Sequence, residues 1–238
     1  MANPFASRAG IIVVGAVIGV AATLLQYFGN PPNMGICVAC FERDIAGGLG
    51  LHRAGVVQYI RPEISGFVIG AFLAALLAKE YRPRGGSAPL VRFFLGVFAM
   101  SGALVFLGCP WRALLRLAGG DWNALTGLAG LATGIGVGVL FLKSGYSLGR
   151  AQTQKAASGY LFPIFMAGLF LLVAFQVTFA EGGPIFFSQK GPGSQHSPLL
   201  ISLGAGLLVG AIAQRSRFCT MGALRDVILL REFHLMSG

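Results

Sequence analysis

Two stretches, "GICVACFERDI" at residues 35–45 and "RFCTMGALRDV" at residues 217–227, decide how this chain is read. Laid over one another, they put Cys37 on Cys219, Arg43 on Arg225 and Asp44 on Asp226, and His52 then falls on His234. One constant offset of 182 residues serves all four pairs, so the pattern C-x5-R-D-x7-H occurs twice. Four polar residues in shared register are hard to reach by chance in a chain with only 8 Asp and Glu, and the pattern reads as an internal repeat.

The background is apolar. Of 238 residues, 55% are hydrophobic and 11% are charged, with 36 glycines and a net charge of +10. A soluble domain of this size carries about 25% charged residues, so the composition is that of a membrane protein. The basic residues recur between apolar runs and do not form one stripe, so they fit membrane topology better than a polyanion, and no nucleic-acid partner is expected. Four cysteines are too few for a disulfide scaffold, and their individual positions carry the information.

Apolar runs able to cross, or nearly cross, a hydrocarbon core of about 30 Å lie near residues 10–28, 64–79, 90–108, 124–142, 159–180 and 198–214. The first is too long for the apolar part of a secretory signal and lacks a convincing cleavage site, so it is read as the first span. Gly130, Gly134 and Gly138, and likewise Gly206 and Gly210, are spaced to let helix backbones approach closely. The connections at 79–86, 143–155 and 214–217 are basic, as is Arg8, whereas 181–197 is nearly neutral. Basic loops stay in the cytoplasm, which predicts a multi-pass cell-membrane protein with a cytoplasmic N-terminus and with segments 29–63 and 109–123 outside.

Those two outer segments mix apolar and polar residues at lengths too short to span. They are expected to hold re-entrant half-helices near 34–51 and 109–118, with interfacial amphipathic helices as the alternative. Five crossings separate the two motif copies, and an odd number inverts the second relative to the first. The predicted fold is therefore an all-α polytopic membrane protein with inverted repeats: residues 1–158 form the first, and 159–238 begin a second, incomplete one.

Chemistry concentrates at the thiols. Cys37 follows "NPPNMG", Cys109 precedes Pro110, and Cys219 opens the second copy, so each is expected in a first helical turn. There, unpaired N–H groups and the positive end of the helix dipole favour an anion or a thiolate. Cys37, Cys109 and Cys219 are the candidate substrate path, with Cys40 as an additional residue. Cys37 and Cys40 form C-x-x-C, a spacing that also suits a redox pair or half of a zinc site, but nothing supplies the other half of a zinc site. Arg43 with Asp44, and Arg225 with Asp226, are read as structural ion pairs locking the half-helices, each charge more easily satisfied by a separate partner. Neither metal nor cofactor is expected.

With "GCPWR" at residues 108–112, the quoted motifs resemble the signatures of the YeeE/YedE membrane-protein family. The run from 29 to 64 looks like the YedE-type branch associated with selenium metabolism, and the resemblance covers essentially the whole chain. It implies an inverted-repeat membrane protein in which Cys37, Cys109 and Cys219 line a path for a sulfur or selenium compound. In the YeeE branch thiosulfate passes between such thiols without lasting covalent attachment. Cys40 is additional to the family's core pattern. The offset would also put a partner for Cys109 beyond Gly238, which predicts a fragment, a short form or a second polypeptide that completes the repeat.

The expected function is uptake of a small sulfur- or selenium-containing anion, with no catalytic step and with a cytoplasmic sulfur or selenium carrier protein as the receiving partner. The alternative is a membrane thiol-disulfide oxidoreductase using Cys37 and Cys40, and a structural subunit is a third reading.

Overall fold

A computed structural model describes residues 4–179 and 183–238. Nine α-helices account for nearly all regular structure among them: α1 (Arg8–Tyr27), α2 (Val38–Gly48), α3 (Pro62–Leu77), α4 (Pro89–Val105), α5 (Pro110–Ala118), α6 (Asn123–Lys143), α7 (Ala156–Ala174), α8 (Leu199–Ser216) and α9 (Thr220–Leu230). The predicted all-α class is therefore observed. Five segments are long and apolar enough to cross a membrane: α1, α6, α7, Pro89–Ala118 through α4 and α5, and Leu199–Leu230 through α8 and α9. The chain is thus a multi-pass membrane protein by the length and apolarity of its helices.

The sixth expected run is also an apolar helix, though a shorter one. The segment predicted near 64–79 folds as α3, 16 residues or about 24 Å at 1.5 Å each, the short, nearly crossing run that its sequence implies. Pro62 sets its start, and the following apolar run ends at Leu77 before the basic stretch. The stretches 34–51 and 109–118 hold the short helices α2 and α5, the former shorter at both ends than expected. Both compound segments are interrupted by left-handed backbone, at Leu107 (φ 63°) and Gly108 (φ 150°) in one and at Arg217 (φ 59°) in the other. Only glycine takes such a φ without cost, and each break ends one helix just before a cysteine.

Helix α1 starts at Ser7, whose hydroxyl accepts a hydrogen bond from the Gly10 N–H at 3.0 Å. It buries one stripe, Ile11, Val14, Ile18, Ala21, Ala22 and Leu25, at helical spacing. That stripe packs with Ile36 and Val209, flanked by Phe67, Trp111 and Phe218. A second core gathers Met34, Cys37, Cys40, Phe41, Ile45, Tyr59, Ile60 and Ile64 against Met166, Leu169 and Val173 of α7.

Between them α3 and α8 pack most intimately. Gly206 and Gly210 lie against the backbone of Glu63 and Phe67, while Gly66 and Gly70 lie against Leu203 and Leu207. A Cβ at any of the four would enter main chain, so these glycines do let two backbones touch. Gly130, Gly134 and Gly138 do not: an added Cβ meets nothing within 4 Å among the described residues. The spacing is the same in both sets, but no described neighbour comes within reach of these three in α6.

The connecting segments gather in two groups. Arg84–Gly85 pairs with Gln152–Thr153 as a two-stranded antiparallel ribbon, Tyr81 donates to the Ala156 carbonyl, and Glu80 pairs with Arg215 at 2.8 Å. Elsewhere, segment 183–198 lies over segment 48–61, through Phe186 N–H to the Gly48 carbonyl (3.1 Å) and Ser188 N–H to the Gln58 carbonyl (2.8 Å). Segments assigned to one side by charge thus meet one another.

Candidate functional site

Cys37 is the N-cap of α2, in extended backbone, and its sulfur accepts the Cys40 N–H at 3.4 Å. Cys219 is the N-cap of α9, also extended, and its sulfur accepts the Gly222 N–H at 3.2 Å. Each helix is 11 residues long, and each carries an adjacent Arg–Asp ion pair. A thiol here takes the capping place that a Ser or Asp oxygen usually holds, binding one of the four N–H groups the helix leaves open.

Cys109 is the N-cap of α5, with Pro110 at the first helical position. Its sulfur lies 3.8 Å from that of Cys37 and also faces the backbone N–H groups of Val38, Ala39 and Arg112. Two helix N-termini therefore converge on one pair of sulfurs. Arg112, three residues into the same turn, donates from Nη1 to the Cys40 sulfur at 3.1 Å, while its buried Nε has no partner. A guanidinium and a set of N–H donors around soft sulfur suit a small polarizable anion.

From this point the side chains lead to the second copy. Trp111, the neighbour of Arg112, donates from its indole N–H to the Thr220 hydroxyl at 3.0 Å, and its ring lies 6.3 Å from that of Phe218. Thr220 and Phe218 flank Cys219. A cavity of about 120 Å³ lined by Ile36, Trp111, Phe218 and Thr220 lies between the copies. A larger one of about 540 Å³, lined by Phe98, Phe106, Gly108, Pro110, Leu131 and Met221, opens beside the first turn of α5.

Burial divides the sulfurs. Cys37 and Cys40 are fully buried, Cys109 is partly so, and Cys219 is exposed. The structure thus joins Cys37, Cys40 and Cys109 in one cluster, whereas Cys219 stands apart at the far side of Trp111 and Thr220. Among the described residues, no three His, Cys, Asp or Glu side chains are grouped as a metal site.

The charged residues resolve differently in the two copies. Asp44 takes Arg43 at 2.6 Å on one oxygen and Arg61 at 2.8 Å on the other, with Asp44 and Arg61 both at 0% exposure. Arg61 also donates to the carbonyls of Gln195 (2.9 Å) and Pro192 (2.7 Å), and lies over the rings of Phe41 and Tyr59. In the second copy, Asp226 meets only Arg225 among the ion pairs formed by the described residues, at 2.7 Å. Adjacent Arg and Asp thus pair with each other in both helices, and Asp44 in addition takes a separate partner, Arg61. The longer Arg side chain bends back along its own helix.

His52 follows the motif differently from His234. Its Nδ1 accepts the Ala54 N–H (3.2 Å), which leaves Nε2 to donate to the Arg43 carbonyl at 2.9 Å. His234 instead places Nε2 3.0 Å from the Ala6 carbonyl, tying the second copy to the start of the chain.

Sequence reasoning passed over Arg61 and Arg112. Arg61 stands in "QYIRPEI", where one Arg directly before a Pro-initiated apolar helix was a visible signal of a buried charge seeking a partner. Arg112 was quoted within "GCPWR" without a role, although a helix places it on the same turn as Cys109. Compared with protein-family models, with curated proteins and with solved structures, the chain matched nothing in any of the three, so the thiol cluster itself carries the functional reading.

Proposed function

We propose that the chain takes up a small sulfur- or selenium-containing anion across the membrane along Cys37, Cys109 and Cys219, as a member of the YeeE/YedE family with two inverted repeats. The single observation that carries this reading is the 3.8 Å approach of the Cys37 and Cys109 sulfurs at two converging helix N-termini, with Arg112 alongside. Open N–H groups and a cation attract negative charge, and thiols solvate a soft terminal atom without needing to react with it. In this reading α2 and α9 are half-helices entering from opposite faces, and Trp111 and Thr220 mark the place where the two meet. The anion passes from the enclosed thiols to the exposed Cys219 and on to a cytoplasmic sulfur or selenium carrier protein.

Burial weighs against the oxidoreductase alternative. The first cysteine of a redox C-x-x-C must reach a partner dithiol, and Cys37 is fully enclosed and already engaged by Cys109. Uptake of labelled thiosulfate and labelled selenium compounds by cells expressing the chain separates the readings. Transport predicts that Cys37→Ser, Cys109→Ser and Cys219→Ser each abolish uptake. If only Cys37→Ser and Cys40→Ser have an effect, the oxidoreductase stands instead. No effect of any of the four favours a structural subunit.

A further inference from the structure

A second charged site lies far from the thiols in sequence, at the C-terminal ends of α3 and α8. There a cavity of about 540 Å³ is lined by Lys79, Glu80, Tyr81, Arg82, Arg84 and Arg217, together with Ala75 and Gln214. Four of its side chains are cationic and one is acidic. Glu80 is already engaged, by Arg215 at 2.8 Å and by Arg217 at 3.9 Å. Lys79, Arg82 and Arg84 are exposed and pair with no acidic side chain among the described residues.

The surroundings say what kind of anion fits. Both helices that end here are apolar and packed on each other along their length, so the basin lies where their membrane-embedded part gives way to water. Phe72, Tyr81 and Tyr160 form a ring cluster with centroids 5.3–5.5 Å apart at the same end. Aromatic residues collect at the headgroup level of a bilayer. Just below, on α3, Leu73 and Leu77 are one helical turn apart and exposed, Leu77 by 85%. An apolar face running into a cationic basin beneath aromatic rings matches acyl chain, phosphate and headgroup in order.

We infer that this basin is a binding site for the phosphate of an anionic phospholipid. Lys79, Arg82 and Arg84 contact the phosphate, Tyr81 marks the headgroup level, and Leu73 with Leu77 carries an acyl chain. The inference needs α3 and α8 to end at a membrane surface and is independent of what the thiols conduct. Basic pockets at helix ends are a recurring lipid-phosphate solution, with about a fivefold gain in affinity for each Lys or Arg near the surface.

The test uses the full chain, purified in detergent and titrated with vesicles of phosphatidylglycerol or of phosphatidylcholine, with bound lipid read by native mass spectrometry. Selective retention of phosphatidylglycerol is expected, with about a hundredfold loss in the Lys79→Gln/Arg82→Gln/Arg84→Gln protein. None of the three takes part in the Glu80 ion pairs, and the single variants Lys79→Gln and Arg84→Gln, each expected to lose about fivefold, serve should the triple variant fail to fold. Equal retention of both lipids, or unchanged retention in the single variants, overturns the proposal. Inorganic phosphate alone binding as tightly as the lipid makes the basin a free-phosphate site, and tighter binding of a polyglutamate peptide makes it a protein-docking site; either result also overturns it.

Discussion

The starts of α2 and α9 carry the same residues in the same register, yet the first is enclosed and the second open. Around Cys37 the chain lays Tyr59–Arg61 from one side, α7 from another and segment 183–198 over the top, with Tyr59 stacked on His196 at 4.5 Å. Cys219 has no such cover among the described residues. Identical capping and ion pairing therefore arise in both copies from local sequence alone, because a cap and an adjacent Arg–Asp contact need only one turn of helix. Burial is a property of what the remaining chain brings to that turn. The lesson is that a repeated motif predicts local geometry well and says little about environment.

The largest expected departure between the copies is in stability. Asp44→Ala strands two guanidiniums, one wholly buried, and is expected to cost about 3–5 kcal/mol, whereas Asp226→Ala removes a half-exposed pair and should cost under about 1 kcal/mol. Thermal and denaturant unfolding of the two proteins in detergent measures the gap, and equal losses would break the contrast.

A second pair tests whether enclosure also separates helices of like sequence. Gly206→Val drives a side chain into the Glu63 backbone and should cost about 1–3 kcal/mol, while Gly134→Val meets open space and should change stability by no more than about 0.5 kcal/mol. The same unfolding measurement reads both.

Thiol labelling sharpens the comparison at the sulfurs themselves. With a membrane-permeant maleimide, Cys219 should be modified first and Cys37 only on unfolding, as followed by peptide mass spectrometry; early modification of Cys37 would remove the distinction. The smallest effect is expected at Asp121, where Arg116 holds the carboxyl below its usual range. A lowered folded-state value contributes stability present above the unfolded value and lost as pH falls through the folded one. Acidification below the usual carboxylate range should therefore slightly loosen the turn between α5 and α6, and Asp121→Asn should abolish that response in amide exchange at Asn123.

Much of this was legible in the sequence because its causes are local. Apolar run length gave the helices, Pro62, Pro89 and Pro110 marked three helix starts, and Cys37, Cys109 and Cys219 fell at caps as their flanking residues imply. What stayed hidden depends on contacts between distant segments. Gly206 and Gly134 look alike in sequence, and only the neighbouring helix decides which is used. Arg61 reaches Asp44 across 17 positions, and Arg112 reaches Cys40 across 72, separations that no spacing rule addresses.

The ribbon joining Arg84–Gly85 to Gln152–Thr153 has a consequence for mechanics. Helices α4, α5 and α6 start and end side by side at that seam, and α4 buries none of its own residues, while α5 is tied back through Trp111 to Thr220 and Arg112 to Cys40. The excursion is thus pinned at two places, the ribbon at its ends and the first turn of α5 at its middle, and the second pin is what sets one sulfur against another.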